Sequence, residues 1–156
     1  MAELADPTGL LLTSIRDHAA VSALTSRVRV DAPAGRQVNA AGVETDEGDA
    51  RGPGEWVRFV VLVRLARTRA PHVPTQGVRY IARCYGQGGN PAQDADALAA
   101  AVSEAVHDVG RRVSGSGVVI FYSFDEGDSG PVKDPDTGQP HTDLVISLGA
   151  STAHIT

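Results

Sequence analysis

The chain is short of the residues that staple small folds together. It has one cysteine (Cys84), one methionine, one tryptophan and 4% aromatic residues in 156 positions. A lone cysteine can form neither an intramolecular disulfide nor a cysteine-rich zinc motif, which excludes the secreted mini-scaffold and zinc-finger classes and makes a reducing compartment the default. Lysine is nearly absent: of 14 basic residues only Lys133 is not arginine. Such a bias suits a GC-rich genome first, and planar bidentate pairing at interfaces second. Long apolar runs are missing too. Leu10–Leu12 is far too short for a signal-peptide core or a membrane span, and the residues before it carry acids where a signal peptide needs bases. The expectation is a soluble, intracellular protein with no membrane contact. A net charge of −5 argues against a dedicated nucleic-acid binder, because phosphate affinity comes from many Lys and Arg contacts.

What is present is enough for one domain. At one domain per ~100–200 residues, a chain of this length has room for a single core that needs no metal or disulfide. Charge is unevenly placed along it. Residues 51–83 hold Arg51, Arg58, Arg64, Arg67, Arg69, Arg79 and Arg83 against Glu55, a net +6. Residues 125–143 hold Asp125, Glu126, Asp128, Asp134, Asp136 and Asp143 against Lys133, a net −5. A bipolar chain of this kind can meet copies of itself, or an asymmetric partner, through opposite faces.

Asp6-Pro7 is a helix start, and Leu11, Ile15 and Ala19 recur at helical spacing, predicting a helix over 7–24 that breaks near Asp17. Residues 27–31 alternate as a short strand, and 32–55, rich in Gly, Pro, Ala and acid, read as a long loop or an excursion that orders on a partner. Trp56–Ala66 is the strongest strand, with Val57, Phe59, Val61, Val63 and Leu65 on one face and Trp56, Arg58, Val60, Leu62 and Arg64 on the other. A short connection over 70–76 leads to a second strand, in which Val78, Tyr80, Ala82 and Cys84 share a face, so the pair is antiparallel. A patterned helix follows over Ala92–Val113. The next strand, 118–124, places Val118, Ile120, Tyr122 and Phe124 on one face and Val119 and Phe121 on the other. An acidic loop over 125–141 and a last strand, Thr142–Ser151, complete the order. Strands paired without intervening helices make this α+β: a mostly antiparallel sheet of about four to five strands with two helices packed on one face.

Chemistry is sparse. The run GQGGN before the long helix is neither of the usual phosphate-loop patterns, and a plain strand-to-helix turn accounts for it. Asp134 and Asp136 lack the ligand spacing and closing Glu of a calcium loop. The five histidines are scattered, no nucleophile elbow exists, and Cys84 falls on an apolar strand face where an inert thiol is expected. The expected reading is therefore no catalytic residue, no metal and no cofactor. The candidate residues are a subunit-contact set, Arg58, Arg64, Arg67, Arg69, Arg79 and Arg83, and a partner-contact set, Asp125, Glu126, Asp128, Asp134 and Asp136.

The segments LLLTSIRDHAAVSALTSRVRV, AQDADALAAAVSEAVHDVG, GSGVVIFYSFDEG and VKDPDTGQPHTDLVISLGAS occur in that order, with the DPxTGxP element spanning Asp134–Pro140. From Leu10 to about Ser151 the chain resembles the tail terminator (tail completion) proteins of long-tailed bacteriophages, departing from them in its Gly/Ala/acid-rich early segment. The resemblance implies a non-enzymatic subunit that forms a homo-hexameric ring at the head-proximal end of the virion tail after assembling in the host cytoplasm. Such a ring caps the tail tube protein, stops its polymerisation and offers a joining surface to the head–tail connector protein, with DNA only as cargo passing through the lumen. The alternatives are a head–tail connector or neck protein of the same virion, or a small metal-binding module or enzyme built on the acidic loop.

Overall fold

The structure is a computed structural model that describes residues 7–30, 37–38, 44–45, 56–69, 75–107, 112–113, 118–135 and 138–152. The first helical segment breaks where the sequence places the break. Helix α1 (Thr8–Arg16) ends at Asp17, and the His18 imidazole accepts the Ala20 N–H to start the one-turn helix α2 (Ala19–Ser22). Strand β1 (Val28–Val30) comes next, and within the segment read as a loop a two-stranded antiparallel ladder joins β2 (Gln37–Val38) to β3 (Glu44–Thr45). The rest of 32–55 lies outside the described residues.

The remaining elements are β4 (Phe59–Arg69), β5 (Thr75–Tyr85), α3 (Pro91–His107), β6 (Arg112–Val113), β7 (Val118–Lys133) and β8 (Pro140–Thr152). Six strands form one sheet in the order β1-β4-β5-β8-β7-β6. Every neighbouring pair is antiparallel except β1 with β4. β5 and β7 both run against β8 and so parallel each other. That arrangement requires a crossover, and α3 supplies it, packed over β5, β8 and β7. The α+β architecture expected from the sequence is the one observed. No helix among the described residues is long and apolar enough to cross a membrane.

The core lies between the helices and one face of the sheet. Leu11, Ile15 and Val21 meet Leu98, Val102 and Val106 of α3, and beneath them lie Val60 and Leu62, then Val78, Tyr80, Ala82 and Cys84, then Leu144, Ile146 and Leu148. Each Leu or Val fully buried here contributes roughly 1.5–3 kcal/mol. The helices therefore cover the face of β4 that mixes apolar residues with Arg58 and Arg64. The opposite face buries a smaller cluster, Phe59, Val61 and Tyr85, in which the Phe59 and Tyr85 rings stack with centroids 4.2 Å apart. Cys84 is fully buried, and burial pushes its thiol pKa far up, so it has no thiolate to react with.

Several boundaries differ from the sequence expectation. β4 begins at Phe59 rather than Trp56 and runs three residues past Ala66. β5 begins at Thr75, inside the expected connection, and Val113, expected at the end of α3, is on β6. The largest correction concerns the acidic loop. Residues 125–133 continue β7 instead of leaving the sheet, and only a short turn separates them from β8. Their acids and glycines gave no strand pattern, but β8 offers an unbroken edge to pair with. Register shifts at Asp125/Gly127 and Asp128/Pro131, with Gly127 (φ 123°) and Gly130 (φ 69°) in the left-handed region, absorb the irregularity. A further shift between Ile120 and Tyr122 breaks the expected alternation. Tyr122 and Phe124 therefore pair with Gly149 and Ser147 on the face away from the helices, while Ser123 takes the inward position opposite Leu148.

Candidate functional site

The strand directions divide the arginine segment between the two ends of the sheet, with Arg67 and Arg69 at one and Arg58 and Arg83 at the other beside the acidic segment. β4 and β5 turn at one end, where β4 carries Arg67 and Arg69, while Arg64 stands mid-strand, level with Asp125; β7 and β8 turn at the other, towards which Asp128, Lys133 and Asp134 lie. Arg64 and Asp128 are exposed, while Arg67 and Asp134 are partly buried. Arg69 is placed by its backbone alone, and Asp136 lies outside the described residues.

Other members of the two sets are joined within the subunit. Arg79 Nη2 on β5 meets Glu126 Oε2 on β7 at 2.7 Å, across β8, and Arg83 Nε stands 3.8 Å from Asp143 Oδ1. The Arg79–Glu126 pair is about half exposed and contributes little to stability. The Asp125 carboxylate accepts from Ser103 Oγ at 2.7 Å and also contacts His107 Nε2, fastening β7 to α3. Burial opposes ionisation of Asp125, but the hydrogen bonds from Ser103 and His107 outweigh it and hold its pKa below the ordinary value. Ser103 donates to the carboxylate and not to the imidazole, so this is a tether and not the relay that activates a serine nucleophile.

Arg58 belongs to a polar hub at the acidic end. Its guanidinium grips Asp94 through Nε at 2.8 Å and Nη2 at 2.8 Å, and the same carboxylate accepts the Gln87 N–H at 2.9 Å. Asp94 sits in the first turn of α3. A carboxylate of the protein thus already takes the Gln87 N–H of the Gly-rich turn, and Asn90 Oδ1 accepts the Gln93 N–H at the helix start. Burial disfavours the charged carboxylate, yet the bonds from Arg58 and Gln87 prevail and lower the Asp94 pKa. The depressed value fixes the sign of a pH effect. Stabilisation from Asp94 is complete at neutral pH and is lost as the pH falls below about 4, through the folded-state value. Melting curves from pH 7 to pH 2.5 are expected to show this acid loss, and Asp94→Asn should flatten it while lowering stability at neutral pH by roughly 1.5–3 kcal/mol.

The DPxTGxP element closes the hub from the other side. The Tyr85 hydroxyl donates to Asp134 Oδ2 at 3.1 Å, and Gly138 adopts φ 76° at the turn. Gln139, buried to 1% exposure, donates to both the Val57 and Gly86 carbonyls at 2.9 Å. The motif therefore clamps the β7–β8 hairpin to the start of β4. Among the described residues no group of three His, Cys, Asp or Glu is placed to hold a metal ion.

The surface that the sequence reading missed is the aromatic face of β7. Phe121, Tyr122 and Phe124 are 41%, 47% and 41% exposed, and their rings follow one another at 5.7 and 6.1 Å. The available signal was the crowding of three aromatic residues into VVIFYSF, more than one buried face of a single strand accommodates. Beside them Thr68, Gly77, Gly149 and Tyr122 are successive cross-strand partners, and a groove of about 340 Å3 opens over this row.

No protein-family model matches the chain, and no curated protein matches it in sequence.

Proposed function

We propose that this chain is a structural virion subunit that assembles as a ring on the end of a phage tail tube, stops tube growth and presents the surface that joins the head. The observation that carries this reading is the placement of Arg67 and Arg69 near the β4–β5 turn and of Asp128 and Asp134 near the β7–β8 turn, at opposite ends of one sheet, beside an uncovered aromatic face. A subunit polarised in this way favours head-to-tail contacts, and such contacts yield rings when their rotation closes. The likeness of segments from Leu10 to Ser151 to tail terminator proteins names the ring. Capping follows from surface matching: a growing tube exposes at its tip the surface used by the next ring of tube subunits, and a ring that binds there without offering that surface again ends elongation.

Purified chain added to polymerising tail tube protein tests this. Elongation should stop, with one ring-shaped density at the tube end in negative-stain images. Unchanged tube growth overturns the reading, whereas binding only to connector rings replaces it with the connector alternative.

A further inference from the structure

We draw no further inference here: the strongest candidate, the groove over Gly77 and Gly149 beside the uncovered aromatic face of β7, carries nothing because nothing in the structure shows what covers it.

Discussion

Replacing Gly86 with alanine is expected to cost about 3 kcal/mol or more, at or beyond the upper end of ordinary overpacking. A Cβ at this position would lie 1.9 Å from the Pro91 carbonyl oxygen and 2.6 Å from the Ala95 amide nitrogen. Both are backbone atoms of α3, so no side chain can swing aside and the helix itself must move. Gly86 also donates its N–H to the Pro140 carbonyl at 3.0 Å and accepts from Gln139 at 2.9 Å, so displacement loosens the β7–β8 hairpin as well. For a domain of this size the melting temperature should fall by about 10 °C. Gly149→Ala is the instructive control: its close contacts are the Tyr122 and Phe121 rings, which are about half exposed and can rotate away. Its cost should stay near 1 kcal/mol, at the low end of overpacking. Equal losses at the two positions would show that the tight approach of α3 to the Gly86 turn is not what makes a glycine necessary there.

The second large effect concerns assembly. Reversing Arg64, Arg67 and Arg69 to glutamate changes the second half of β4 by six charge units and places like charge where head-to-tail assembly would bring an acidic surface of a neighbour. Self-association measured by sedimentation or native mass spectrometry should fall more than tenfold. Wild-type association should itself weaken as salt rises from 50 to 500 mM, because exposed charges are screened over about 8–10 Å at physiological ionic strength. Arg64 is exposed but Arg67 is partly buried, so the melting temperature of the variant is measured alongside to separate lost folding from lost association. The contrasting control is Arg79→Glu. Arg79 already pairs with Glu126 of its own chain, so its reversal should disturb that contact and alter assembly less. Association unaffected by the triple reversal would remove the second half of β4 from the interface.

Periodicity made the core legible. Leu11 and Ile15, the even-numbered face of β5, and Leu144, Ile146 and Leu148 are buried as their spacing requires. It failed where the ladder is irregular. Residues 125–133 are acids and glycines with almost no apolar alternation, and they are strand because β8 supplies a partner edge and bulges take up the mismatch, neither of which a local pattern contains. The same limit applies at Phe121, where one extra residue turns the following aromatic side chains outward. Charge was legible in sum but not in its pairing. The sequence separates a basic from an acidic segment, yet Arg58, Arg79 and Arg83 find acids within the subunit, while β4 carries Arg67 and Arg69 to the opposite end from the acidic turn. The DPxTGxP element carried the family resemblance, whereas its physical role, a buried glutamine bridging two carbonyls, depends on neighbours 53 and 82 positions away in the chain.

The most direct measurement of the central claim is the length of tails made without this protein. The proposed function requires that a phage with a stop codon early in this gene make tails of irregular and excessive length, unattached to filled heads, when lysates of a non-suppressing host are imaged by electron microscopy. Tails of normal length joined to heads would contradict the account.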